Sequence, residues 1–206
     1  MLDKYKKIFI TGTDTNVGKT YYSVKLLREF NAKGFSTIGV KPISTGYDTK
    51  SKINDDAKKL YDASSIKIPI NEVNPFSFKE PISPNIAAKK ENVDLSVEKI
   101  IQELNKLDKY NSDIQIIEGV GGWDVPINSN ENMSDLVKKL NIPVILVISI
   151  KLGCLNHAIL TSKAIMNDNV TAIGWIANRI SKDEFEINEN INTLKSKLKF
   201  KLLDII

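Results

Sequence analysis

At 206 residues, 42% apolar and 26% charged, the chain is long enough to bury a sizeable core as one domain without disulfides or structural metal. The longest apolar run, Val144 to Ile148, is too short to span a bilayer. The start MLDKYKKIF lacks a signal peptide's apolar stretch and cleavage site, so no membrane segment and a cytoplasmic location are expected, with the single Cys154 in keeping. The net charge of +4 is mild and its lysines are spread, as at Lys58-Lys59, Lys138-Lys139 and Lys195 to Lys199, without the basic stripe and stacking aromatics of a nucleic-acid binder.

In chain order, the apolar run Ile8-Phe9-Ile10 reads as a strand that breaks at Gly12 into small polar residues and reaches Gly18-Lys19-Thr20. Tyr22, Leu26, Leu27 and Phe30 then recur at helical spacing. Strand, phosphate loop and helix follow one another. Gly18 lets backbone N–H groups close on phosphate oxygens, Lys19 carries a charge to the β- and γ-phosphates, and the Thr20 hydroxyl suits Mg²⁺. The usual pattern has a glycine where Thr13 stands, with Gly12 just ahead, so the loop is a variant. No G-x-G-x-x-G is present, which argues against a dinucleotide-binding fold.

Thr37 to Pro42 is a second strand, followed by the turn-rich Ser44-Thr45-Gly46. Asp55 to Ala63 is a short helix, and Ser64 to Pro84, with four prolines and little periodicity, is expected to be a long irregular loop. Asp94 to Tyr110 has helical periodicity with Asp94 or Ser96 as cap. Ile114 to Ile117 is a strand running into Glu118-Gly119-Val120-Gly121-Gly122. Met133 to Leu140 is a helix, and the β-branched Pro143 to Ile150 reads as a central parallel strand. Gly153 to Asn167 is helical, Thr171 to Ala177 is a strand ending at Asn178-Arg179, Asp183 to Lys197 is a helix, and Phe200 to Ile206 closes the chain. Such alternation predicts an α/β fold, a three-layer sandwich of the P-loop NTPase type around a mostly parallel sheet, with active residues at the carboxyl ends of strands.

Those ends bring together Gly12 to Thr20, Lys41 to Gly46, Glu118 to Gly122, Lys151 to Asn156 and Asn178-Arg179. Glu118, directly after an apolar strand, stands where phosphoryl-transfer enzymes keep a carboxylate for Mg²⁺. Asp55 and Asp56 open a helix, where an aspartate is as readily a cap and dipole complement as a metal ligand. Lys41 ends a buried-type strand before a proline. It is either a lysine reaching out to water or a second cation beside Lys19 for an anionic acceptor. His157, the only histidine, reads as a helix residue satisfied by a neighbour. Cys154 reads as a small apolar packing residue, and Trp123 is expected to shield the site.

The segments Thr11 to Thr20, Lys41-Pro-Ile-Ser-Thr-Gly46, Val73-Asn-Pro-Phe76, Glu80-Pro-Ile-Ser-Pro84, Glu118-Gly-Val-Gly-Gly-Trp123, Lys151 to Ala158 and Gly174-Trp-Ile-Ala-Asn178 occur in an order that resembles the dethiobiotin synthetases, including the odd loop spacing. The resemblance implies an ATP-dependent ligase in which 7,8-diaminononanoate and CO₂ form a carbamate that ATP phosphorylates before the second amine closes the ureido ring. It implies that Thr13, Asp14, Thr15, Asn16, Val17, Gly18, Lys19, Thr20, Asp56, Glu118, Gly121, Asn178 and Arg179 meet Mg²⁺ and nucleotide. Of these, Thr20, Asp56 and Glu118 would hold the metal and Asn178 would face the base.

Lys41 and Lys19 are the catalytic lysines by the same resemblance. Thr15, Lys41 and Thr45 contact substrate, and Gly153, Cys154 and Asn156 receive its distant carboxylate across a homodimer interface. Two departures stand out. Asn16 occupies a position that is acidic in many relatives, and after Leu203-Asp-Ile-Ile206 longer relatives continue through a segment that helps enclose adenine, so weak discrimination among nucleoside triphosphates is expected. The rival readings are a partner-regulated ATPase switch, which would carry a further lysine between Gly12 and Gly18, and an amidating ligase, for whose glutaminase domain the chain has no room.

Overall fold

The computed structural model describes residues 2–179 and 186–206. β1 (Lys7–Gly12), β2 (Thr37–Val40), β5 (Ile114–Glu118), β6 (Val144–Ser149), β7 (Ala172–Asn178) and β8 (Leu202–Ile205) form one six-stranded sheet in the order β2-β5-β1-β6-β7-β8, with every pairing parallel. A two-stranded parallel sheet joins β3 (Ile43–Thr45) to β4 (Phe76–Phe78). The helices are α1 (Lys19–Ala32), α2 (Asp55–Ala63), α3 (Ile70–Val73), α4 (Pro84–Lys90), α5 (Val97–Asn105), α6 (Met133–Leu140), α7 (Cys154–Asn167) and α8 (Ile187–Lys197).

Period-two side-chain alternation sorts the sheet residues onto two covered faces. Ile8, Ile10, Ile114, Ile116, Ile145 and Val147 pack with Tyr22, Leu26, Leu27 and Phe30 of α1 and with Leu60 of α2. Phe9, Ile117, Val144, Leu146, Ile148 and Trp175 pack on the other face with Ile100 and Leu104 of α5, Leu136 and Val137 of α6, Ala158 and Ile165 of α7 and Leu194 of α8. The result is the expected three-layer sandwich. β1 lies between β5 and β6, so the chain leaves its carboxyl end where the neighbouring strands diverge, the usual place for a ligand crevice.

Several boundaries differ from the sequence reading. The stretch from Ser64 to Pro84 is not irregular throughout: it contains α3, β4 and the start of α4, all too short for periodicity to show. The second strand ends at Val40, and Ser44-Thr45, expected as a turn, belongs to β3. The helix expected over Asp94 to Tyr110 is α5 followed by a 3₁₀ segment from Lys106 to Tyr110. Its cap is Ser96, whose hydroxyl accepts from Lys99 N at 3.3 Å. The last helix begins at Ile187, and the expected start at Asp183 lies outside the described residues. Among the described residues no helix is long and apolar enough to cross a membrane.

Candidate active site

The phosphate loop is shaped by residues that accept left-handed backbone. Asn16 has φ of 58° and Gly18 φ of 100°, and asparagine tolerates that region better than most side chains, which accounts for Asn16 in physical terms. Gly18 is further constrained, since a Cβ there would lie 2.0 Å from Asn178 Nδ2. That amide donates to Val17 O at 2.9 Å, so the end of β7 clamps the loop. At Gly12 a Cβ would meet Val17 Cγ2 at 2.5 Å. The glycine one place earlier than the usual pattern thus lets Val17 tuck under the loop.

Beyond the loop, α1 begins at Lys19. Its ammonium is 5% exposed by residue and folds over the loop, donating to Asp14 O at 2.8 Å and Gly121 O at 2.7 Å. Burial, and then the nearby ammonium of Lys41, lower the Lys19 pKa to about 8. Thr20 Oγ1 donates to Glu118 Oε1 at 2.8 Å, linking the first turn of α1 to the end of β5.

Lys41 follows β2 and is 4% exposed, with Nζ donating to Glu118 Oε1 at 2.6 Å and Gly119 O at 3.1 Å and lying 3.4 Å from Asp56 Oδ2. Burial works against its charge, but Glu118 and then Asp56 overcome that and hold Lys41 above the ordinary lysine value. For Asp56, burial pulls upward while Lys41 and the Thr20 hydroxyl prevail and keep the carboxyl below its usual range. The site therefore holds two ammonium groups and two carboxylates. The reading of Lys41 as a lysine reaching out to water does not fit this geometry.

These groups line one cleft of about 750 Å³ together with Thr15, Asn16, Gly18, Ser44, Thr45, Asn54, Val120, Gly121, Val125 and the segment Pro81 to Pro84. The structure also separates the two aspartates that open α2. Asp55 faces out to Lys59, whereas Asp56 points into the cleft. The helix cap is neither of them: Asn54 Oδ1 accepts from Asp56 N at 3.1 Å and Ala57 N at 3.3 Å, while its Nδ2 reaches Thr45 O and Gly46 O at 3.4 and 3.3 Å. Asn54 is not among the residues expected at the site, although an asparagine just ahead of an acidic first turn is itself an N-cap signal.

Other expected residues fall elsewhere. Trp123 does not shield the cleft. It is 4% exposed in the core, its indole N–H donating to Asp168 Oδ2 at 2.7 Å. Gly153, Cys154 and Asn156 are not among the residues lining the cleft; Gly153 and Asn156 are exposed, Cys154 is buried, and the adjoining Leu152 is 98% exposed. His157 is exposed on α7. Thr13, Asp14 and Val17 belong to the loop but are not among the residues lining the cleft, Asp14 being exposed and Val17 buried, and Arg179 is exposed, its N–H donating to Ile206 O at 2.8 Å.

The donors present fit a small hard cation. Among the described residues no three His, Cys, Asp or Glu side chains cluster as a metal site, so the protein offers the Thr20 hydroxyl, Asp56 and Glu118. Glu118 Oε2 is fully buried with no hydrogen-bond partner among the described residues, an acceptor awaiting a positive group. Few all-oxygen protein ligands, with other positions left to phosphate and water, suit Mg²⁺.

A family model described as an AAA domain matches residues 6–206. An ATP-dependent dethiobiotin synthetase BioD of Wigglesworthia glossinidia brevipalpis is 43% identical over 205 residues, covering 98% of this chain and 89% of that protein. The protein of the same name from Alteromonas mediterranea is 43% identical over 210 residues, covering 96% and 90%. That from Vibrio cholerae is 43% identical over 194 residues, covering 93% and 83%. Among solved structures, the septum site-determining protein MinD of Pyrococcus horikoshii with Mg-ADP aligns with a TM-score of 0.57 at 16% identity, covering 98% of this chain and 80% of that one. The MinC:MinD complex of Aquifex aeolicus aligns with a TM-score of 0.60 at 15% identity, covering 98% and 80%. The distant structures share the P-loop NTPase fold, whereas the near relatives match along almost the whole sequence, and the chain belongs to the ATP-dependent dethiobiotin synthetase family.

Proposed function

We propose that this chain, an ATP-dependent ligase by family, carboxylates 7,8-diaminononanoate with CO₂ and closes the ureido ring of dethiobiotin, releasing ADP and phosphate. The observation that carries the reading is Lys41. Its buried ammonium lies 2.6 Å from Glu118, in one cleft with the phosphate loop. A nucleotide-binding module has no use for a second buried cation there, but a reaction that brings two anions together does.

One amine attacks CO₂ and loses a proton to give a carbamate. A carbamate oxygen then attacks the γ-phosphorus and ADP departs. Finally the second amine attacks the carbonyl carbon of the carbamic-phosphoric anhydride, the C–O bond to phosphate breaks, and the new ring nitrogen gives up one proton as phosphate leaves. Lys19 and Lys41 offset repulsion between carbamate and triphosphate, each contact being worth about 4 kcal/mol at 4 Å and an effective dielectric of 20 before desolvation is subtracted. To do so Lys19 would give up the carbonyls of Asp14 and Gly121, and Lys41 would give up Glu118, the partners they hold at rest. Phosphoryl transfer depends chiefly on such positioning and charge neutralisation.

Thr20, Asp56 and Glu118 would hold Mg²⁺, which neutralises phosphate charge when bound. Thr15 and Thr45, both on the cleft wall, would contact the diamine, and Asn178, whose amide already grips Val17 O beside Gly18, would meet the nucleotide. Gly153, Cys154 and Asn156 would reach the substrate carboxylate from a second copy of the chain. The exposed Leu152 at that turn supports such a homodimer, since a large aliphatic side chain gains by burial at an interface.

The test incubates the protein with diaminononanoate, bicarbonate, Mg²⁺ and ATP and follows phosphate. Release that depends on the diamine supports the reading. Hydrolysis indifferent to the diamine and stimulated by a protein partner would replace it with the ATPase-switch reading.

A further inference from the structure

Lys41 needs more than its ion pairs to sit where it does. β2 is an edge strand of the large sheet and its pairing with β5 stops at Val40, so Lys41 lies one residue beyond the ladder. The next residue, Pro42, has no N–H with which to anchor the segment. What holds the Lys41 main chain comes from the stretch between Ser64 and Pro84, where α3 leads into β4. Lys41 N donates to Val73 O at 2.9 Å, and Lys41 O accepts from Asn74 Nδ2 at 2.6 Å.

The Asn74 side chain is itself held. Asn74 is 7% exposed and its Oδ1 accepts from the hydroxyl of Ser44, which is 1% exposed, at 2.7 Å; Ser44 Oγ lies 3.2 Å from Ser77 Oγ. A backbone carbonyl can only accept, so the Lys41 carbonyl requires the amide N–H₂ of Asn74 to face it, and the Ser44 hydroxyl takes the other end. Both main-chain polar groups of Lys41 are thus spoken for by consecutive residues 73 and 74. The side chain is spoken for by Glu118, Gly119 and Asp56.

We propose that Asn74 is a positioning residue that aims Lys41 into the cleft by gripping its main-chain carbonyl; the proposal rests on the catalytic role given to Lys41 above. Without Asn74 that carbonyl becomes a buried acceptor with no donor, and the segment swings toward water to satisfy it. A misplacement of about 1 Å can lower a rate on the order of a hundredfold.

The experiment uses the full chain with Asn74→Ala, and with Ser44→Ala, which leaves the donor in place but frees it. Diamine-dependent kcat is expected to fall about 10- to 100-fold for Asn74→Ala, with the KM for ATP within about threefold because the hydrogen bonds of Asn74 run to Ser44, Lys41 and Ile70 and, among the described residues, none runs to the phosphate loop. Ser44→Ala is expected to lose less than about fivefold. An independent readout is reductive methylation of the substrate-free protein, read lysine by lysine by mass spectrometry. Lys41 modification is expected to rise at least about tenfold in Asn74→Ala while Lys19, the other buried lysine of the cleft, keeps its wild-type rate. If Asn74→Ala does not fold, Asn74→Asp, which keeps the shape and the acceptor for Ser44 but loses the donor, carries the same expectations.

A kcat within threefold of wild type overturns the proposal, as does a Lys41 modification rate that is unchanged or rises in step with Lys19. If the wild-type protein shows no diamine-dependent turnover but Lys41 alone becomes reactive in the variant, the clamp stands and the ligase reading falls.

Discussion

Replacing Lys41 with methionine makes the sharpest test of how the site is balanced. Glu118 is fully buried, its Oε1 shared by the Lys41 ammonium at 2.6 Å and the Thr20 hydroxyl at 2.8 Å, and its Oε2 has no hydrogen-bond partner among the described residues. Lys41→Met leaves a buried carboxylate without its main compensating charge, a change that destabilises by about 3–5 kcal/mol. In a chain of this size each kcal/mol moves the melting temperature by roughly 2–4 °C, so in EDTA the variant is expected to melt roughly 6–20 °C below wild type.

The Lys41 ammonium takes the same Glu118 oxygen as Thr20 and lies near Asp56, so it competes with a cation for these groups. Its removal should open them to Mg²⁺, and Mg²⁺ at a hundred times its dissociation constant would restore about 2.7 kcal/mol. The assay is a thermal melt followed by circular dichroism in EDTA and across a Mg²⁺ series, without nucleotide, with Mn²⁺ binding followed by electron paramagnetic resonance. The wild-type melt should barely respond to Mg²⁺, while the variant should recover a large part of its loss and bind Mn²⁺ more tightly. Turnover should fall far more than ATP affinity. A variant as stable as wild type in EDTA and indifferent to Mg²⁺ would refute both the charge accounting at Glu118 and the assignment of the metal ligands.

Other expectations follow from single contacts. Gly18→Ala forces a Cβ toward Asn178 Nδ2 at a φ of 100°, and a strain of about 1–3 kcal/mol should weaken nucleotide binding roughly 5- to 150-fold in a fluorescent-nucleotide titration; unchanged affinity would show the loop free to relax. Asn54→Ala removes the α2 cap, lowering stability by about 0.5–2 kcal/mol in urea unfolding and raising the Mg²⁺ concentration needed for half-maximal turnover as Asp56 loses its placement; an unaltered Mg²⁺ requirement would disconnect the cap from the site. Trp123→Phe loses the hydrogen bond to Asp168, whose side chain is 24% exposed and can turn to water, so about 1 kcal/mol of stability should go while kcat stays at the wild-type value. A tenfold drop in kcat would return Trp123 to the active site.

Much of this molecule follows from its sequence alone. Long periodic segments declare themselves because burial against a sheet imposes the same spacing on any chain: α1, α6, α7 and the apolar β5 and β6 stand close to where periodicity puts them. The phosphate loop is equally legible, since closing main-chain amides on phosphate demands small residues, a lysine and a hydroxyl at fixed intervals.

Tertiary structure alone decides what depends on neighbours distant in the chain. Whether Lys41 reaches water or Glu118, 77 positions away, depends on which strands sit side by side, and β2 and β1 both happen to flank β5. Which of Asp55 and Asp56 enters the cleft is settled by the rotation of α2 about its axis, fixed when Asn54 caps it and Leu60 packs beneath the sheet. The segment that clamps Lys41 shows no periodicity because α3 and β4 are a few residues long and are held by main-chain pairing to β3 and to the end of β2, with the Asn74 side chain between them, partners that local sequence does not encode.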